Sequence, residues 1–283
     1  MTLEMDFLLV HGKMKDKIIV TINKLEDTIK LKELGISKFA FPLKGFTVGM
    51  PNTFLVSEIN TKGYLFINRI LDNNGIIELK KILNNLSDNI IGIIFDDLGI
   101  IELTKDLKLE KILYLSHFNT NYESSKIYLE YVDSVILSTD ITKEETEYIV
   151  NKLPNKVTLF VYGLVGVMYS RRKLIDNYSK YYNIPKINPL LIENTNHEFL
   201  LYENEYGTYF YHDKIFNGKK LLDLNALYFF INSAFITPSF IERFLSSDNV
   251  SEDEDEGFLY TETIYKLKGD LDDWVTSSCW RFR

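Results

Sequence analysis

The sequence predicts an α/β protein, a (β/α)8 TIM-like barrel with an insertion between its seventh and eighth strands. Three observations point there. Apolar runs of strand length alternate with longer segments at helical spacing, the pattern of βα units around a parallel sheet. Eight such runs fall within roughly 240 residues, the size of one barrel domain. The rhythm breaks after the seventh run, where a polar, aromatic stretch and a hairpin pattern intervene. Periodicity counts strands but does not give closure, so a doubly wound open sheet is the alternative.

The first strand spans Lys17 to Asn23, and a helix from about Leu25 to Leu34 stops at Gly35, a residue suited to a left-handed cap. Lys38 to Pro42 is the second strand. The connection after it, Lys44 to Lys62, holds Gly45, Gly49 and Pro51 and makes a poor helix. Tyr64 to Ile70 is the third strand, with a helix near Gly75 to Leu86; Ile90 to Asp97 is the fourth and Lys111 to His117 the fifth. Ser134 to Thr139 is the sixth. Its helix opens with a capping box, Thr142 as N-cap and Glu145 three residues on, and continues to Leu153. Lys156 to Gly163 is the seventh strand. Tyr169 to Tyr182 has the pattern of a polar, aromatic helix, and Phe199 to Tyr211 that of a hairpin turning near Glu205 to Gly207. Ala226 to Asn232 is the eighth strand, and Pro238 suits the first turn of the last helix. The barrel is thus expected over residues 1–247, with the helical and hairpin insertion at about 165–215. Residues 248–283 are expected to form an acidic loop, solvated from Asp248 to Glu256, and a C-terminal arm; Gly257 to Lys268 alternates enough for a strand pair or a docked segment.

With 46% hydrophobic and 14% aromatic residues, the 283-residue chain is a folded globular protein rather than a disordered one. Its net charge of −8 includes −5 from the run Glu252 to Glu256, which leaves −8 + 5 = −3 for the rest. A mildly acidic body neither supports nor excludes RNA, because local basic patches set phosphate binding. The single cysteine, Cys279, excludes an intrachain disulfide framework and any multi-cysteine metal site within the chain, and favours a reducing, cytoplasmic setting. The N-terminal segment lacks the pattern of a secretory signal, and no apolar run approaches the ~20 residues of a membrane span, so no membrane partner is expected.

Specific segments resemble a known family. Phe95 to Leu107 (FDDLGIIELTKDL), Tyr114 to Tyr122 (YLSHFNTNY), Val135 to Ile149 (VILSTDITKEETEYI) and Leu159 to Tyr178 (LFVYGLVGVMYSRRKLIDNY) resemble, in order and spacing, the collagenase-like peptidase family U32. Asn204 to Tyr211 and Glu256 to Tyr265 look like its later landmarks, so the resemblance runs from about residue 17 to 268. It implies a barrel. It also implies hydroxylation chemistry as readily as proteolysis, because branches of the family are associated with hydroxylation of the tRNA wobble uridine, hydroxylation of ribosomal RNA, and quinone synthesis. Cluster-bearing members carry cysteines where this chain has Gly166 and Lys173, so iron–sulfur ligation in the family manner is absent and no cofactor is identifiable. A family histidine is replaced by Tyr162. The segment Ser170 to Tyr178 is most similar to that of the small companion type in the tRNA uridine hydroxylation branch. The partners so implied are tRNA and a larger cysteine-bearing paralogue; a noncatalytic partner role and a true peptidase are the alternatives.

In a barrel, functional groups gather where strands end. Asn68, Asp96, Asp97, His117, Asn119, Asp140 and Tyr162 fall at or just after strand ends, although solvated loops place polar residues there anyway. Asp96, Asp97, His117 and Tyr162 are the catalytic candidates, and Asn68 and Asn119 candidates for substrate binding. In the Asp96–Asp97 pair, a base or substrate-orienting carboxylate competes with a cap for the next helix. His117 suits acid–base work or base stacking, against a plain hydrogen-bonded loop histidine. No histidines show the i, i+4 spacing of a helical metal site, and no metal ligand is assigned. Tyr169, Arg171, Arg172, Lys173, Tyr178, Lys180, Tyr181 and Tyr182 interleave cations with aromatic faces, which suits single-stranded RNA, a surface helix or a protein contact. Arg171, Arg172 and Tyr178 are the substrate-binding candidates there. A nucleophile in a recognised peptidase context is absent from the sequence.

Overall fold

The computed structural model describes residues 14–194 and 197–261. Eight parallel strands close on themselves: β1 (Ile18–Thr21), β2 (Lys38–Pro42), β3 (Gly63–Ile67), β4 (Ile90–Phe95), β5 (Glu110–Leu113), β6 (Ser134–Leu137), β7 (Val157–Ser170) and β11 (Tyr228–Asn232). Each pairs with the next, β11 pairs with β1, and β11 also pairs in parallel with β7, with Phe229 opposite Leu159. That last pairing closes the barrel and removes the open-sheet alternative.

Helices alternate with the strands: α1 (Asp27–Glu33), α2 (Asn73–Leu83), α3 (Gly99–Thr104), α4 (Tyr122–Tyr128), α5 (Lys143–Lys152) and, after β11, α7 (Pro238–Ser246). Local chemistry sets their starts. Asp72 accepts from Gly75 N at 2.8 Å, Asn121 from Ser124 N, and the Thr142–Glu145 capping box forms in full. Their apolar faces, including Leu79, Ile100, Ile149 and Phe244, are buried in the core that surrounds the barrel. Between β2 and β3 there is no α-helix. That loop instead buries Phe46, Val48 and Phe54 and is pinned by Asn68, which accepts from Val48 N at 2.8 Å and donates to Val48 O at 3.1 Å.

Inside the barrel, Phe66, Tyr114, Phe160 and Phe230 pack with ring centroids 5.6–6.2 Å apart. Towards the N-terminal end of the barrel, Tyr64 and Tyr228 both donate to Glu110 Oε2, at 2.6 and 3.3 Å. Barrel stability resides in such contacts, which leaves the opposite face for function.

The insertion differs from the expectation in two respects. β7 does not stop at Gly163 but runs on to Ser170, leaving the barrel to pair antiparallel with β10 (Gly207–Asn217). β9 (His197–Asn204) and β8 (Leu190–Asn194) extend that sheet, with the β9–β10 turn where the hairpin pattern placed it. The helix expected from Tyr169 is shorter, α6 (Leu174–Tyr182), because backbone pairing of Tyr169 and Ser170 with β10 holds the chain extended. Arg171, Arg172 and Lys173 therefore lie before the helix. The expected solvation of the acidic run fails at Glu254, which sits in β12 (Glu254–Asp255) against β10 and is 5% exposed. Its carboxylate accepts from Tyr162 Oη, Asn217 Nδ2, Arg243 Nη2 and Ser251 N. The segment from Gly257 to Lys268 extends beyond residue 261, and Cys279 also lies outside the described residues. Among the described residues no helix is long and apolar enough to cross a membrane.

Candidate functional site at the barrel mouth

The C-terminal ends of β3 to β6 and the emerging half of β7 surround the mouth. Asp96 follows β4 and is partly buried, and no donor of another described residue bonds its carboxylate. Burial, reinforced by the like charge of Asp97, pushes its carboxyl up to about 7. Asp97 is spent differently: its Oδ1 accepts from Gly99 N at 2.8 Å, opening α3. The two readings of the pair are thus divided between its members.

Phenols surround Asp96. Its charge acts on Tyr114, Tyr169 and Tyr209, and the Ser116 hydroxyl is within hydrogen-bonding reach of Tyr114 and Tyr209. Burial pushes Tyr209 up to about 12 and Tyr114 further, so both rings are neutral donors. Ser116 has φ +51°, a left-handed conformation uncommon outside glycine and frequent where geometry serves function. Arg69, after β3, donates to Gly45 O at 2.7 Å and lies 4.1 Å over the Tyr206 ring, while Tyr169 Oη donates to Tyr206 O. Arg171 approaches Asp72 at 3.7 Å and is more than half exposed.

Two glycines make room for the tyrosines. A Cβ at Gly166 would come within 2.2 Å of Tyr209 Oη, and one at Gly49 within 2.4 Å of Tyr211 Oη. Tyr211 donates to Gly49 O at 3.0 Å. Gly166 and Lys173 are the two positions where the resemblance leads to an expectation of cysteines; here a phenol fills the space at Gly166, and Lys173 offers no thiolate. The donor set does not fit a cysteine-ligated cluster.

A second pair lies beside the first. His117, on a 3-10 turn (Ser116–Phe118), meets Asp140 Oδ2 through Nδ1 at 2.5 Å, and Ser138 Oγ also donates to that oxygen. The Asp140 hydrogen bond and charge raise the His117 pKa against the opposing effect of burial. Burial opposes the Asp140 charge too, but His117 and Ser138 hold its carboxyl below the usual range. Ser138 contacts the carboxylate rather than the imidazole, so the trio is no nucleophile–base–orienter triad.

The remaining candidates need correction. Tyr162 is fully buried and faces away from the mouth, stacked on Phe244 of α7 at 4.4 Å with its hydroxyl on Glu254. Asn119 is 1% exposed, donating to Ile136 O and accepting from Ser125 Oγ, and Asn68 is spent on Val48; both are positioning residues. Arg172 and Tyr178 are exposed, and Tyr178 packs against Tyr182 on α6. Sequence reasoning missed Arg69, Tyr114, Tyr209 and Tyr211. Arg69 stands right after a strand, and Tyr209 and Tyr211 alternate along one, but only the pairing of β10 with β7 brings those rings over the barrel. Among the described residues no group of three or more His, Cys, Asp or Glu is placed to hold a metal ion.

Residues 53–186 match the sequence model of peptidase family U32. None of the curated proteins matches the chain. Among solved structures, the Bacillus cereus spore cortex-lytic enzyme SleL is similar at 12% identity and a TM-score of 0.38, over 84% of this chain and 75% of that one.

Proposed function

We propose, from the peptidase family U32 match as premise, that this chain acts in hydroxylation of RNA, with the wobble uridine of tRNA as the target. The observation that carries the reading is Asp96, a carboxyl pushed up to about 7 at the barrel mouth among the phenols of Tyr114, Tyr169 and Tyr209. A group with that pKa exchanges protons in both directions at neutral pH. Arg171 and Arg172 offer charge to phosphates, and Tyr206 and Tyr169 offer faces to a base unstacked from a loop. Hydroxylation also needs an oxygen donor. The roles assigned to this chain are the ones its side chains perform: binding, orientation and proton transfer.

The test is mass spectrometry of tRNA nucleosides from a strain lacking the gene, complemented with wild type or Asp96→Asn. Wild type is expected to restore hydroxyuridine derivatives and the variant to fail; a variant that restores them fully removes Asp96 from the chemistry. In binding assays, Arg171→Ala with Arg172→Ala is expected to weaken tRNA binding and reduce its salt slope by about 1–2. Unchanged binding removes the RNA contact.

One observation favours a second reading, that of a noncatalytic partner. Tyr209 and Tyr211 plug the space between Gly49 and Gly166, leaving a mouth better suited to positioning than to enclosing a reactive group. If Asp96→Asn restores modification and the protein co-purifies with a cysteine-bearing paralogue, this reading replaces the first. The peptidase reading has no nucleophile–base pair among the described residues to support it.

A further inference from the structure

Away from Asp96, the insertion sheet and the β12 segment enclose a cavity of about 660 Å³ against the end of β6, within the range that takes small organic ligands. Val165, Phe216 and Phe258 give it apolar faces. Carboxylates are spread around it on separate elements: Asp140 after β6, Glu193 on β8, Glu198 on β9, Asp213 on β10 and Asp255 on β12. Against them stand Lys214 and His212. Glu193 and Glu198 lie directly opposite each other across β8 and β9, a like-charged pair that destabilises a sheet. Neither they nor Asp213 form an ion pair among the described residues.

A single metal ion does not suit this arrangement. The carboxylates do not converge, since no metal-competent group of three exists among the described residues, and the volume far exceeds an ion's needs. What matches dispersed negative charge around apolar faces is a flexible organic cation whose ammonium groups are separated by methylene spacers. We infer that the cavity is a binding site for a polyamine-type ligand, with the spacers against Phe216 and Phe258 and the ammonium groups at Glu193, Glu198 and Asp213. This inference does not rest on the RNA reading.

The test is calorimetric titration of the full chain with spermidine at physiological ionic strength, with MgCl2 at matched ionic strength as the competitor. One spermidine per chain is expected to bind and to resist Mg²⁺. Glu198→Gln combined with Asp213→Asn, both at exposed positions, is expected to lower affinity about tenfold. Val165→Trp, which fills the cavity, is expected to abolish binding, with thermal melts establishing that each variant is folded. Absence of binding at about 1 mM spermidine overturns the inference. So does binding untouched by the double variant, or displacement by Mg²⁺ at matched ionic strength, which would mark nonspecific charge attraction. If Val165→Trp fails to fold, the double variant alone decides.

Discussion

Two carboxyl groups, the buried Glu254 and the partly buried Asp96, have opposite fates. Glu254 is surrounded by donors, a phenol, an amide, a guanidinium and a backbone N–H, and its pKa is lowered although burial opposes the charge. Asp96 is partly buried beside another acid, has no such donors among the described residues, and is raised to about 7. The difference separates structure from chemistry: a buried carboxylate whose lone pairs are filled fastens elements together, while one left without donors holds a proton it can give up. Glu203 belongs with Glu254. It accepts from Ile175 N, Thr208 Oγ1 and Lys186 Nζ, pinning the start of α6 to the hairpin.

The largest effect expected from this contrast is in paired substitutions. Glu254→Gln should destabilise the fold by about 3 kcal/mol in urea unfolding, because the amide removes the charge facing Arg243 and leaves one acceptor oxygen for four donors. Asp96→Asn should cost no stability at pH 8 yet abolish restoration of hydroxyuridine. Equal stability losses for both would erase the distinction.

The pH dependence should also split, by up to roughly 1.4 kcal/mol per pH unit. Glu254, depressed in the fold, contributes stability above its unfolded value that is lost as pH falls through the folded one. Asp96 does the reverse: between about 4, where the unfolded carboxyl ionises, and about 7, the folded state holds the extra proton. Stability therefore falls as pH rises through that window, and unfolding curves of Asp96→Asn should lack the fall.

A smaller effect is expected at His117. Its raised pKa contributes stability that is complete below the unfolded value near 6.5 and lost as pH rises through the folded one. The pair is partly exposed, so His117→Gln should remove about 1 kcal/mol or less at pH 6 and less still at pH 8, measured by denaturant titration. Least of all, Tyr209→Phe keeps the ring that fills the space at Gly166 and should change stability by about 0.5–1 kcal/mol. A much greater loss would show that its hydroxyl, rather than its ring, holds the mouth.

Much of the fold was legible because parallel barrel strands, buried on both sides, form near-continuous apolar runs such as IIVT and IIGIIF. Tyr162 shows what was not. Simple alternation puts it on the same side as Phe160, inside the barrel, but a bulge at Val161 shifts the register so that Phe230 faces Phe160 and Ile231 faces Tyr162. One extra residue turns the ring outward onto Phe244, and no local signal announces it. Asp96 and His117 were legible from their positions after strands. Tyr209 was not, because it reaches the mouth through an antiparallel pairing that bridges some forty residues of chain. The acidic run misled for a related reason: composition marks it as solvated, while the donors that bury Glu254 come from β7, β10 and α7.

The unbroken course of β7 gives the molecule a mechanical character. Its first half is a stave of the barrel, and its second half is the backbone of the projecting sheet. At the junction, Gly163 lies so close to Asn232 O that a Cβ would come within 2.1 Å, and Asn232 Nδ2 grips Leu164 O at 3.0 Å. The insertion is thus a cantilever clamped at its root, not a flap on a hinge, and a load on its tip is delivered as torque to the seam where β7 and β11 close the barrel.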